Sequence, residues 1–380
     1  MFMRGLWNHR YLSYIDFRIL FVIGALMCIS MLVISSMTMD MGETEIVITR
    51  WAKSQLYWFL AGWAVFIIAA GFDYRKLREW TWPLYLFLIV LLVGLFVVNP
   101  IQNVHRWYRI PILNFSVQPS EHAKLIVVLT LGWFMERKAS VVGGLKTFFQ
   151  AMCIVGIPFL LILKQPDLGT ASVLIPIALT MGYFGGLHKK ALRVIAYSGI
   201  AVVLFSTMMF VGVISHEKMK PFFTVFLKEY QYARLSPKSY HQEASKTAVA
   251  LGGITGSGWH KSEFSSQKWL PAAHTDSVFS AFGEEFGLVG MAFLLLLFYA
   301  LIYFGFQVTL HAKDHYGKLL SSGLTIYLAM HIMMNIAMML GLLPMSGVPL
   351  ILITYGGSSV LTTMAALGIL QSIYSRRFMF

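Results

Sequence analysis

Long uninterrupted apolar runs organise the 380-residue chain, in place of the strict alternation of a half-buried strand or the narrow stripe of a surface helix. Crossing a hydrocarbon layer of ~30 Å takes about 20 mostly apolar residues in a helix, because each residue rises ~1.5 Å. Ten runs meet or approach that length, at 19–38, 56–72, 81–98, 121–136, 150–164, 170–186, 194–214, 278–308, 321–344 and 359–374. They predict an all-α integral membrane protein of about ten transmembrane helices, a single polytopic domain over 1–380. Trp51, Trp58, Trp80, Trp82 and Trp133 fall at or near the run ends, where an amphipathic ring suits the membrane interface. Thr38-Met39-Asp40 follows the first run without a small-residue cleavage pattern, which predicts a retained helix. One long polar connection, 215–277, interrupts the series. It opens with Pro221 to Tyr230, whose apolar residues recur near helical spacing with charges between. That pattern suits a helix lying along the membrane surface, or a strand or helix packed on the rest of the protein.

Composition sharpens this picture. Hydrophobic residues make up 57% and charged residues 12%, about half the usual charged share of ~25%, so a soluble globular fold is excluded. The formal charge of +13 does not call for nucleic acid, because Lys and Arg concentrate in the cytoplasmic loops of membrane proteins. Sixteen of the 30 Lys and Arg lie in one alternating set of short connections and termini, from Arg4, Arg10 and Arg18 to Arg376 and Arg377. Only six lie in the opposite short set, and the other eight lie within 215–277. Both termini are therefore predicted to be cytoplasmic and the long loop extracytoplasmic. Cys28 and Cys153 both sit in apolar runs and signal neither a disulfide framework nor a metal site.

Carboxylates at membrane depth are the first candidates for chemistry, since each costs ~2.5–3.5 kcal/mol to insert. Glu121, Asp167, Asp276, Glu284 and Glu285 stand out, the last two about two turns into a span and the others on the outward side. Glu121 and Lys124 can pair at i, i+3, or Glu121 can simply serve the first turn of a helix capped by Ser120. In Gln165-Pro166-Asp167-Leu168-Gly169-Thr170, Asp167 is placed to cap the next helix. Asp276 closes the polar loop in His274-Thr275-Asp276 just before a span, where burial and nearby carboxylates would raise its pKa into a general base's range; capping is its ordinary role. Glu284 and Glu285 diverge by ~100° on a helix, so at least one must face a polar cavity or a neighbouring helix. Gly252-Gly253-Ile254-Thr255-Gly256-Ser257-Gly258-Trp259 looks superficially like a phosphate loop, but it lacks a Gly-Lys-Ser/Thr ending and a preceding strand. His311 and His315, at i, i+4, read as solvated loop residues; His331 and Asn335, at the same spacing inside a span, read as packing or an interhelical hydrogen-bonding pair.

Taken in order, these segments resemble the SEDS family of shape, elongation, division and sporulation proteins (RodA, FtsW, SpoVE). The resemblance runs from Arg106-Trp107 and Gln118-Pro119-Ser120-Glu121-His122-Ala123-Lys124-Leu125 through Gln165 to Thr170 and Ser245-Lys246 with the glycines to Gly258-Trp259. It continues in His274-Thr275-Asp276, Gly283-Glu284-Glu285-Phe286-Gly287, and Gly341 to Pro344 through Tyr355-Gly356-Gly357-Ser358-Ser359. Gly347-Val348-Pro349-Leu350 and the short N-terminal tail look like the elongation branch, RodA, rather than the division branch. The chain departs from the family pattern at Pro271-Ala272-Ala273 and Ser277 on either side of the His-Thr-Asp motif, at Ala250-Leu251, and at Ile351 in place of a proline. The Asp itself is kept, so activity is expected.

The resemblance implies a peptidoglycan glycosyltransferase that polymerises lipid II, the lipid-linked disaccharide-peptide, on the outer face of the bacterial cytoplasmic membrane. Asp276 would be the catalytic base, acting on the acceptor hydroxyl with inversion at the donor's anomeric carbon. Arg106, Lys124, Lys246, Gln165, His274, Thr275 and Ser245 would bind pyrophosphate or sugar, and Glu121, Asp167, Glu284 and Glu285 would orient them. No cofactor is demanded; a divalent cation, Mg or Mn, could share in neutralising pyrophosphate, with no ligand set to mark its site. The partners implied are a class B penicillin-binding transpeptidase and the elongation machinery (MreC, MreD and MreB-like). A lipid II transporter and a non-catalytic scaffold of the cell-wall machinery are the alternatives of other classes. The outward clustering of the polar residues disfavours the first and the intact His-Thr-Asp disfavours the second.

Overall fold

A computed structural model describes residues 7, 9–39, 49–98, 104–110, 115–210, 212–214 and 239–378. Ten helices of at least 18 residues occupy the ten predicted segments among them. In chain order they are α1 (Phe17–Met37), α2 (Arg50–Gly71), α3 (Leu77–Gly94), α4 (Pro119–Arg137), α5 (Leu145–Lys164), α6 (Leu168–Gly185) and α7 (Lys189–Phe210). Two short helices, α8 (Tyr240–Gly252) and α9 (Glu263–Ser266), precede α10 (Val278–His311), α11 (His315–Met339) and α12 (Gly357–Ser375). Eight of the ten long helices are long and apolar enough to cross a membrane. The other two, α4 and α12, are polar for a reason the packing supplies. Fifteen of the 19 residues of α12, including Thr362, Thr363, Gln371 and Ser372, are buried inside the bundle, where protein rather than lipid meets the side chains.

Most helices begin before the hydrophobic run does. The second starts at Arg50 rather than 56, because Thr49 takes the N-cap and accepts a hydrogen bond from the Ala52 N–H. Helix α11 stops at Met339, short of the predicted 344: Gly341 at φ 78° turns the chain and the Leu342 N–H bonds back to the Ala337 carbonyl. A two-stranded antiparallel hairpin, β1 (Tyr108–Ile110) and β2 (Phe115–Val117), was not foreseen; its Tyr108 hydroxyl donates to the Leu91 carbonyl in the last turn of α3. The surface helix expected over 221–230 lies outside the described residues, as does most of the first half of the 215–277 loop.

The core forms around α11 and α12, with α2 laid along α12. A Cβ on Gly368 would stand 2.7 Å from the Phe66 carbonyl and Ala69 Cβ, so the missing side chain lets these helices approach. Helix α7, in contrast, leaves Val194, Tyr197, Ile200 and Val202 exposed, as lipid-facing residues should be. At the ends expected to be cytoplasmic, cations do more than mark topology. Arg78 bridges Glu136 and Asp314, each at 2.8 Å, and the almost fully buried Arg376 donates to the carbonyls of Ala70 and Gly71.

Candidate active site

The opposite end of the bundle gathers the candidate residues from six separate stretches of chain. Asp276 sits in the turn leading into α10, with the Ser277 N–H bonded to the Ala272 carbonyl. Its backbone carbonyl accepts from Asn335 Nδ2 at 3.1 Å, and the same amide donates to the Val348 carbonyl at 2.9 Å. The half-buried carboxylate faces Gly347, on which a Cβ would lie 3.8 Å from Oδ2. Burial holds the Asp276 carboxyl above the usual carboxylate range, while the charges of His241, Arg106 and His274 oppose that rise. Burial also pushes the His241 and His274 imidazoles below their ordinary value, against the pull of Asp276. A desolvated, oriented acid at a rim lined by imidazoles suits proton abstraction from a hydroxyl.

His274 and Thr275 serve the neighbouring loop. The Tyr355 N–H donates to the His274 carbonyl at 3.1 Å, and Thr354 Oγ1 donates to the Thr275 carbonyl at 3.3 Å. The His274 ring lies 5.1 Å from Trp51 and 6.2 Å from Tyr355. Ser245, on the buried face of α8, approaches Ser277 at 3.4 Å and donates to the His241 carbonyl; the next residue, Lys246, is exposed with its stem across Gly341. Its charge thus stands at the C-terminal end of α11, which favours a cation electrostatically and leaves it open to an anionic ligand.

Arg106 is held where the α5–α6 turn meets the β-hairpin. Its guanidinium donates to the carbonyls of Gln165 and Pro166 and stands 4.0 Å from Asp167. Asp167 is the N-cap of α6, accepting from the Thr170 N–H, and it also accepts from Ser120 Oγ at 3.1 Å and Gln118 Nε2 at 3.0 Å. One carboxylate therefore fixes α4, α6 and the arginine together. Gln165 is buried and donates from Nε2 to the Leu92 carbonyl, so its side chain is spent on α3 and is not open to a ligand.

Lys124 is likewise away from any surface. Fully buried, it donates to Glu121 at 2.8 Å and to His331 Nε2 at 2.6 Å, with Tyr327 5.5 Å away across the ring face. Accepting at Nε2 requires the His331 proton on Nδ1, which donates to the Pro349 carbonyl at 3.2 Å. His331 and Asn335 therefore bond to the 348–349 backbone and not to each other. Through them the Glu121–Lys124 pair reaches the backbone of Asp276.

The two span carboxylates each have their own partners. Glu284 accepts from the N–H groups of Phe264 at 2.9 Å and Ser265 at 3.0 Å, and from the Ser265 hydroxyl, so its carboxylate satisfies the first turn of α9. Glu285 accepts from the His260 N–H at 3.0 Å and from the Ser36 hydroxyl of α1. They do not stand two turns inside a continuous span, because Gly287, at φ 61°, breaks α10 just after them. The glycine-rich stretch clasps that break: Ser257 and Gly258 N–H groups donate to the Glu284 and Glu285 carbonyls, and Leu288 and Val289 donate back to Gly253 and Ile254. Its glycines allow backbone to meet backbone, and their amides hold carbonyls rather than a phosphate.

No three His, Cys, Asp or Glu side chains converge as a metal-ligand set among the described residues. Sequence reasoning did not single out His241, Trp51, Tyr355 and Asn335 for this site. In the sequence Asn335 stands out only for its spacing, Trp51 only for its place at a run end and Tyr355 only as part of the Tyr-Gly-Gly stretch; His241 carries no signal until α8 packs beside the His-Thr-Asp turn.

A polytopic α-helical membrane protein with a desolvated acid at one end of its bundle is the class these observations define. The FtsW/RodA/SpoVE family model, described as "Cell cycle protein", matches residues 11–377, and the chain belongs to that family. Peptidoglycan glycosyltransferase MrdB of Escherichia coli strain K12 is 33% identical over 379 residues, covering 96% of this chain and 95% of that protein. Peptidoglycan glycosyltransferase RodA of Treponema pallidum is 27% identical over 434 residues, covering 97% and 99%. A chain from a structure of "polymerization and crosslinking by a peptidoglycan synthase complex" shares the fold at TM-score 0.75 and 22% identity, covering 96% of this chain and 99% of that one. The crystal structure of Thermus thermophilus rod shape determining protein RodA matches at TM-score 0.69 and 23% identity, with 96% and 98% covered. The family expected from the motifs is thus the family found.

Proposed function

We propose that this protein is a peptidoglycan glycosyltransferase that polymerises lipid II for cell elongation, working on the outer face of the bacterial cytoplasmic membrane. The observation that carries the reading is Asp276, a carboxylate raised in pKa by burial and held by Asn335 at the mouth of a bundle belonging to this family. Asp276 takes the proton of the acceptor's 4-hydroxyl as that oxygen attacks the anomeric carbon. The bond from that carbon to the pyrophosphate oxygen breaks on the opposite face, so configuration inverts and the electron pair leaves with pyrophosphate. Arg106, whose charge already acts at Asp276, and the exposed Lys246 are the cations this chain offers the leaving group. Lys124 acts at a distance, by holding α4 against α11.

The relatives' names support the activity, and the synthase-complex neighbour supports a penicillin-binding transpeptidase as partner. The elongation role rests on RodA-like relatives over nearly the whole chain. Association with MreC, MreD and MreB-like proteins follows from that role alone. The test is glycan polymerisation from labelled lipid II by purified protein, with and without the transpeptidase, comparing wild type with Asp276→Ala at matched folded yield. Polymer from wild type alone supports the reading; no polymer from either, with lipid II still bound, moves transport ahead of it.

A further inference from the structure

An interfacial tryptophan ordinarily turns its ring to the headgroups, yet Trp51 turns toward the candidate active site. Its ring lies 5.1 Å from that of His274, two residues before Asp276, and 5.0 Å from Tyr355 in an edge-on arrangement. The cluster is held by more than apolar contact. Ser54 Oγ and the Tyr355 hydroxyl lie 3.1 Å apart, Gln55 Nε2 donates to the Thr354 carbonyl, and Gln55 Oε1 accepts from the Gly356 N–H. Trp51, Ser54 and Gln55 stand at i, i+3 and i+4, so one face of the first turns of α2 both carries the indole and grips the 354–356 loop. Despite this packing, Trp51 remains 46% exposed. A rigid, half-open indole beside a proton acceptor is unexplained by packing alone.

An all-equatorial pyranose presents a face of axial C–H bonds that carry slight positive charge. The face of an indole carries slight negative charge and sheds water readily, so the two stack. We propose that Trp51, braced by Tyr355 and His274, is the platform on which the acceptor sugar ring of the growing reaction stacks, setting its 4-hydroxyl toward Asp276. The platform recognises an all-equatorial pyranose ring without reading the peptide or the lipid. Its kinetic role rests on the glycosyltransferase reading, whereas its binding role does not.

The test uses the full chain with Trp51→Ala and Trp51→Phe, at matched folded yield and melting temperature. Losing a stacked ring worth ~0.5–1.5 kcal/mol corresponds to about a 2- to 13-fold rise in apparent KM for lipid II, with the loss falling more on KM than on kcat. Trp51→Phe, which keeps an aromatic face, should recover most of that loss. In parallel, saturation-transfer NMR with the free disaccharide, lacking lipid and peptide, should show contact at the axial ring protons in wild type and not in Trp51→Ala. An unchanged KM in Trp51→Ala, or disaccharide contact that survives the substitution, overturns the platform. Should wild type make no polymer while the disaccharide still contacts Trp51, the platform stands as a sugar site and the transferase reading falls.

Discussion

Lys124 offers the sharpest separation of architecture from chemistry. Its side chain is fully buried, and among the described residues the partner of Glu121 is Lys124 Nζ, with Glu121 Oε2 left without one. Lys124→Met keeps length and bulk but leaves Glu121, itself 2% exposed, as an uncompensated carboxylate and removes the proton donor from His331 Nε2. Breaking a buried pair from one side typically costs ~3–5 kcal/mol, whereas removing both charges together is often close to neutral. The single variant should therefore lose ~3–5 kcal/mol, and the double variant Glu121→Gln with Lys124→Met should recover all but about 1–2 kcal/mol, the residue being the lost bond to His331. Reversible unfolding in mixed detergent, followed by tryptophan fluorescence, measures both. Polymerisation per folded molecule should track the recovery. A single variant that loses under ~1 kcal/mol refutes the structural account, since the pair would then not bear on the fold. A double variant that regains stability but makes no polymer places Lys124 at the chemistry instead.

Four further outcomes follow from the same geometry. Because burial raises the folded-state pKa of Asp276, the charged form is penalised once pH passes the ordinary carboxylate value and fully so above the raised one; Asp276→Asn should melt at or above wild type at pH 7, with the gap closing on acidification. Polymerisation should fall as pH drops through that raised value, which a pH–rate profile would show; an acid limb at the ordinary carboxylate position contradicts it. Gly287→Ala would put a Cβ 2.4 Å from the Gly256 nitrogen at φ 61°, so the 253–260 clasp should open, seen as new protease cleavage there with the bundle intact. Asn335→Leu strips the donor from the Asp276 and Val348 carbonyls and should lower kcat at least ~10-fold with little change in lipid II binding; an equal loss of binding and rate contradicts a positioning role.

Much of this molecule is written locally. Ten long runs became ten long helices, eight of them apolar enough to cross a membrane, because a segment in lipid must satisfy its own backbone, and that requirement acts within about 20 residues without reference to the rest of the chain. The Asp167 cap on α6 and the Glu121–Lys124 pair were equally legible, since both partners of each contact lie within one helical turn. Tertiary structure alone decided what those residues face. Lys124 looks like a phosphate ligand in sequence and is sealed beneath His331, 207 positions away. The glycines of 252–258 look like an anion cradle and clasp a kink in α10, and Trp51 looks like an interfacial anchor and leans on His274. Each of these outcomes depends on which helix faces lie against each other, and that is fixed by the complementary packing of the whole bundle, which no local window contains.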